Sequence, residues 1–223
     1  MSTRQEPTEL VLVRHGQAEI NVTREPYDAV CRGLTAQGRE QARLVADRLE
    51  ADASRRPGFA ALYYSTLQRA AQTARIIAEV LGMDPIAHDG LRNPDHGNPA
   101  MDYWNPHLNT LGTIAPLAPH RAPGPGAETW AAYLARTDEV LHALMARHLG
   151  ERILVVAHAE TADAALHAFA RLPLTASAYV YPHTDNTAIT IWRHHFLGLP
   201  GEDPGGQFVL YKANDTSHLE GAR

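Results

Sequence analysis

Lysine is almost missing from this chain of 223 residues: Lys212 is the one lysine among 20 basic residues. A phosphate-cradling P-loop or a Schiff-base enzyme therefore lacks its required side chain at every other position, and anion binding falls to arginine. Cysteine is as scarce. With Cys31 alone, neither an intramolecular disulfide nor a thiolate zinc cluster can form, which fits a reducing compartment. Gln37 stands where a cysteine-phosphatase loop would carry its arginine, so Cys31 reads as structural. An excess of positive charge is also missing. A net charge of -5 and a pI of about 6.2 exclude the broad electrostatic footprint of a nucleic-acid binder. No apolar run reaches membrane-spanning length, and residues 1–9 are polar, without the apolar core of a signal peptide. The expectation is a soluble cytoplasmic protein with neither a nucleic-acid nor a membrane partner.

What is present is apolar material in short, spaced runs: 44% of the residues are hydrophobic, enough for one sizeable domain. Leu10-Val11-Leu12-Val13 is a continuous run of β-prone residues, the pattern of a strand covered on both faces of a parallel sheet. Similar runs at 59–64 and 153–157 each lead into a helical pattern. The first meets Ser65-Thr66-Leu67-Gln68, which has the Ser-x-x-Gln spacing of a capping box, and continues as a helix to about Leu81, stopped by Gly82. The second ends at His158, with a helix predicted over 161–170. Helical spacing also marks 35–51 and 128–149. Segments 187–192 and 207–211 are strand-like around a Gly- and Pro-rich turn and predict a closing hairpin. The sum is an α/β chain: a single three-layer α/β/α domain over 1–223 with a mostly parallel central sheet. The proline-rich, aperiodic stretch 94–126, which contains Tyr103 and Trp104, predicts a small cap or lid insertion.

In an open α/β sheet ligands bind at the carboxyl ends of the strands, and Arg14, His15, Ser65, Arg69 and His158 all fall there in this reading. Two arginines can clamp phosphate oxygens through bidentate, charge-assisted hydrogen bonds while staying charged. Two histidines add a nucleophile and a further donor. A neutral imidazole attacks through one nitrogen while a hydrogen bond at the other fixes its tautomer. His158-Ala159-Glu160 also matches the His-x-Glu fragment of zinc deaminases, but one cysteine cannot supply the Pro-Cys-x-x-Cys that completes such a site. His194-His195 lies beside a polar turn without a third ligand and reads as a solvated pair, so no metal is assigned.

Ordered motifs run through nearly the whole chain: Arg14-His15-Gly16-Gln17-Ala18-Glu19 with Asn21, Gly33-Leu34-Thr35-Ala36-Gln37-Gly38, and Ser65 with Arg69-Ala70-Ala71-Gln72-Thr73-Ala74. Gly126-Ala127-Glu128-Thr129, Val155-Val156-Ala157-His158 and Asn214-Asp215-Thr216-Ser217-His218-Leu219 follow. Taken together they resemble the histidine phosphatase superfamily, also called the phosphoglycerate mutase-like family. The resemblance implies a phosphohistidine on His15, phosphate binding by Arg14, Arg69 and His158, a supporting contact from Asn21, and no metal or other cofactor. The choice of His15 over His158 as nucleophile rests on the resemblance. Many members have Glu at the end of a Leu-x-Glu segment where this chain has Leu91-Arg92-Asn93, and another branch has Asp where this chain has Ala159. An amide cannot give a proton to a leaving group. Asp95, in the same loop as Asn93, is the first candidate for the catalytic acid and Glu160 the second. Each has a plainer role beside it, Asp95 as a turn former and Glu160 as a helix N-terminal charge.

The expected activity is hydrolysis of a small-molecule phosphate monoester. A mutase must hold its phosphoenzyme away from water in a strongly cationic pocket, and a cap with Arg92, Arg121 and histidines but no lysine favours hydrolysis instead. A phospholigand-binding protein with weak catalysis is the non-enzymatic alternative. Tyr103 and Trp104 are candidate substrate-binding residues, walling a pocket for an apolar or aromatic portion of the ester; packing of the cap onto the domain is the plainer reading.

Overall fold

The computed structural model describes residues 6–23, 32–95, 97, 118–122, 124–196 and 206–220. The chain opens with strand β1 (Thr8–Arg14), followed by the short helix α1 (Glu19–Thr23), helix α2 (Ala36–Ala53), β2 (Ala61–Tyr64) and α3 (Gln68–Leu81). After β3 (Pro85–Ala87) come α4 (Trp130–Arg147), β4 (Arg152–Ala157), α5 (Ala159–Ala170), β5 (Ile189–Phe196) and β6 (Gly206–Asp215). The sheet order is β3-β2-β4-β1-β5-β6, and β5 alone runs against the rest.

Side chains alternate across a strand, so a strand buried on both faces must be apolar at every position. β1 obeys this. Leu10 and Leu12 pack with Leu141 and Leu144 of α4 and Ala162 and Ala165 of α5, while Val11 and Val13 pack with Val45 and Leu49 of α2 and Ala70 and Ile77 of α3. The result is the three-layer α/β/α arrangement with a mostly parallel sheet. Among the described residues no helix is long and apolar enough to cross a membrane.

Several boundaries differ from expectation for identifiable reasons. The Ser65 capping box does not form: α3 is capped at Leu67 without a side-chain bond, and the Ser65 hydroxyl pairs with His158 and accepts from Leu67 N (3.4 Å). Helix α5 starts earlier than 161, directly after His158, whose extended backbone serves as the N-cap. Strand β5 starts later than 187: Thr187 sits at φ 58 in the left-handed region, within a turn that precedes Ile189. Gly82 stops α3 in the left-handed region, as predicted. Strands β5 and β6 pair antiparallel. Tyr103, Trp104 and most of the expected cap lie outside the described residues.

At the amino end of β1, Glu9 is buried and accepts hydrogen bonds from Arg193 Nε (2.7 Å), Arg56 Nη2 (2.8 Å) and Arg152 Nε (2.9 Å). Burial pushes its carboxyl up, but the bonds from Arg56, Arg193 and Arg152 outweigh burial and hold it below the usual carboxylate range. Removing one side of a buried ion pair strands the other, so Glu9→Ala is expected to lower stability by about 3 kcal/mol, read as a fall in Tm. The folded pKa lies below the unfolded one. The stabilisation is therefore complete above the unfolded carboxylate pKa and is lost as pH falls through the folded value, and Glu9→Ala should lack that acid limb.

Candidate active site

Parallel pairing sets Arg14 opposite Ala157 and Tyr64 opposite Val156, so β1, β4 and β2 release their chains at one level. The ladder continues one residue further, with His15 N donating to Ala157 O (2.9 Å) and Ser65 N to Val156 O (3.0 Å). His15, Ser65 and His158 thus emerge side by side, and Arg69 reaches in from the first turn of α3. All four are buried.

The turn after His15 is held by contact with α2 and α3. Gly16 N donates to Thr73 Oγ1 (3.1 Å), which itself donates to Arg69 O (2.8 Å). A Cβ on Gly16 would lie 2.3 Å from Gly38 O, and one on Gly38 would lie 1.9 Å from Gln17 O. Both positions must be glycine for this approach, which explains why two separated motifs occur together.

The histidines are oriented by their own bonds. His15 Nδ1 lies 2.7 Å from Gly16 O, a bond that requires the proton on Nδ1 and leaves the lone pair on Nε2. Arg69 Nε donates to that lone pair at 3.0 Å. His158 Nε2 is 2.8 Å from Ser65 Oγ, and the two imidazoles meet edge to face at 5.3 Å. Burial first, then the charges of Arg69 and Arg14, pushes His15 well below its usual pKa; burial, Arg69, His15 and Arg14 do the same to His158. Both are neutral at pH 7. Because the unfolded chain takes up protons below about pH 6.5 that the folded site refuses, these two histidines make stability fall with acidification.

Arg14 Nη1 donates to Thr184 O at 2.5 Å, and its buried Nε has no partner among the described residues. Asn21 is exposed at the rim. Its Oδ1 accepts from Ala18 N (2.9 Å) and Asn186 Nδ2 (3.4 Å), and Asn186 also donates to His15 O (3.1 Å).

The two candidate acids occupy different surroundings. Asp95 is exposed, its Oδ1 accepts from Gly97 N (2.9 Å), and its own N donates to Glu128 Oε2 (3.2 Å), which is paired with Arg136 (2.7 Å). That is the bonding of a turn former. Glu160 is half-buried in the first turn of α5, and its charge acts on Arg14, Tyr133 and Tyr181. With its carboxamide oriented to satisfy both neighbours, Asn93 donates to Glu160 Oε2 (3.0 Å) and accepts from Arg69 Nη2 (3.1 Å). Asn93 therefore links the Arg69 guanidinium to a carboxylate.

The structure brings Arg14, His15, Arg69, His158 and Glu160 to one place, sets Asn21 at the rim and Asp95 in a turn beside it. Thr184 and Asn186 were not read from the sequence. They lie in the irregular segment 179–188, which has no periodicity to mark it. Among the described residues no group of three or more His, Cys, Asp or Glu side chains gathers as a metal site. What the site offers instead is two guanidinium groups around a neutral imidazole, the equipment for binding a phosphoryl group and attacking it.

The family model for the histidine phosphatase superfamily, branch 1, matches residues 10–196. Phosphoglycerate mutase-like protein 4 from Arabidopsis thaliana is 28% identical over 218 residues, covering 95% of this chain and 87% of that protein. Phosphoserine phosphatase 1 from Hydrogenobacter thermophilus is 27% identical over 156 residues, covering 67% and 70%. Among solved structures, the mycobacterial glucosyl-3-phosphoglycerate phosphatase Rv2419c aligns with a TM-score of 0.72 at 24% identity, over 94% of this chain and 99% of that one, a likeness of fold.

Proposed function

Because the chain belongs to the histidine phosphatase superfamily and is an enzyme of that kind, we propose that it hydrolyses small-molecule phosphate monoesters through a phosphohistidine on His15, without a metal. The observation that carries this reading is the neutral His15 imidazole, its Nδ1 fixed by Gly16 O and its Nε2 lone pair facing the Arg69 guanidinium. A phosphate entering here takes over the Arg69 donors, with Arg14 and His158 on its other oxygens. His15 Nε2 then attacks phosphorus as the bond to the ester oxygen breaks, and Glu160 gives its proton to the departing oxygen. Water next attacks the phosphohistidine, the P–N bond breaks, and Glu160 takes the proton that water loses. Inorganic phosphate leaves, and His15 and Glu160 return to their starting states. The arginines stabilise the charge that spreads over the phosphoryl oxygens in both steps.

An aryl phosphate assay with equimolar release of phenol and inorganic phosphate, unchanged by a chelator, is the expected result. Loss of activity on chelation contradicts the metal-free reaction. Return of the phosphoryl group to a second hydroxyl of a phosphoglycerate, in place of phosphate release, assigns a mutase. Binding of phosphate without turnover by the folded wild type assigns a ligand-binding protein.

A further inference from the structure

Three buried polar side chains stand behind the site and take no part in the reaction above. Asp163 and His167 lie one turn apart on α5, with His167 Nε2 3.9 Å from Asp163 Oδ1, too far for a hydrogen bond. Ser177, on the 3-10 turn Ala176–Ala178, fills the gap: its Oγ is 2.6 Å from Asp163 Oδ2 and 2.6 Å from His167 Nε2. A hydroxyl carries one proton, so the chain has a direction. Ser177 either donates to an ionised Asp163 and accepts from His167, or accepts from a protonated Asp163 and donates to His167. Both arrangements keep the three residues joined.

Buried polar groups are a poor source of stability, since well-packed apolar side chains of the same volume do as well or better. Their location points to a different use. Ser177 precedes segment 179–188, which has no regular structure and meets the nucleophile with its far half: Thr184 O accepts from Arg14, Asn186 Nδ2 donates to His15 O, and Thr187 N donates to Arg14 O (3.1 Å). Beyond that point the segment is fastened by Asn214 Oδ1 to Asp185 N (2.8 Å) and by His218 to Thr187 (3.1 Å). At its near end the buried side-chain anchor is Ser177. The anchor binds to α5, the helix whose first turn carries Glu160.

We propose that Asp163, Ser177 and His167 are positioning residues that lock segment 179–188 to α5 and thereby hold Arg14 and His15 in register for phosphate. The assignment rests on the phosphohistidine reading. Burial, opposed by the Ser177 hydrogen bond and assisted by Glu160, pushes Asp163 up to about 6, so the direction of the chain changes within the working pH range. Among the described residues the ionisable groups acting on Asp163 are Glu160 and His167 on its own helix and Tyr181 on the segment, while Tyr133 on α4 packs against the neighbouring Ala164.

The test measures orthovanadate affinity by calorimetry, and kcat/KM for an aryl phosphate against pH, in the full chain and in Ser177→Ala and Asp163→Asn. Ser177→Ala is expected to weaken vanadate binding and kcat/KM by about 10-fold to 100-fold, the effect of a small misplacement of the clamping groups. Asp163→Asn is expected to remove an ionisation near pH 6 from the profile. If Ser177→Ala does not fold, the near-isosteric Asp163→Asn carries the test alone. Vanadate affinity and pH profile unchanged from wild type in the folded variants overturn the proposal and leave the three residues as packing. A wild type that itself fails to bind vanadate overturns the phosphohistidine reading instead, so the two failures are distinguishable.

Discussion

Replacing His15 by alanine is expected to remove turnover of every phosphate ester, a loss on the order of 10⁴-fold or more, as when a covalent nucleophile is deleted from an otherwise intact site. The size follows from the way the site is built. His15 Nε2 is the imidazole nitrogen whose lone pair faces a guanidinium, whereas Nε2 of the neighbouring His158 is committed to Ser65. Water entering the space left by His15 would be a far weaker nucleophile than the imidazole. The arginines would remain, so phosphate affinity should survive where kcat does not. That split between binding and kcat, with the Tm retained, separates loss of the nucleophile from loss of the site. A folded His15→Ala enzyme with substantial turnover contradicts the assignment.

Glu160→Gln is expected to slow alkyl phosphates by about 10²-fold to 10⁴-fold, the range of positioned proton transfer, while aryl phosphates, whose oxyanions depart unaided, change far less. The argument is positional. Glu160 is bonded through Asn93 to Arg69 and acts electrostatically on Arg14, whereas the Asp95 carboxylate is turned to Gly97 N. Since Asn93 already contacts both Arg69 and Glu160, a carboxyl group at position 93 would reach the same reacting oxygen. Asn93→Glu in the Glu160→Gln background should therefore restore part of the alkyl phosphate activity. If Asp95→Asn shows the leaving-group dependence and Glu160→Gln does not, the acid is Asp95.

The layers of the fold were legible because residues 10–13 of β1 and 153–157 of β4 are unbroken apolar runs and α2 and α4 carry apolar residues at helical spacing. These are local patterns with one physical meaning. The clustering of Arg14, His15, Arg69 and His158 was legible from the strand ends and from the ordered motifs. The sequence put Asp95 ahead of Glu160 as the acid because Asp95 shares the loop of Asn93, although each also has a structural use. Only the path of the chain decides that Asp95 closes a turn with Gly97 while Glu160 is joined through Asn93 to Arg69. Ser65 was read as a helix cap because its spacing to Gln68 fits one. A buried histidine across the sheet competes for the same hydroxyl, and no local pattern records that competition. Thr184 and Asn186 act from an irregular segment through a backbone carbonyl and a lone side-chain amide, which leave no trace in residue type.

The most direct test of the account locates the phosphoryl group. Alkaline quench of the enzyme during turnover of a labelled aryl phosphate, followed by peptide mapping and by ³¹P NMR of the trapped protein, should find an acid-labile phosphohistidine at His15 on Nε2, because Nδ1 is held by Gly16 O. Phosphate on His158, on Nδ1 of His15, or on no histidine while turnover proceeds would contradict it.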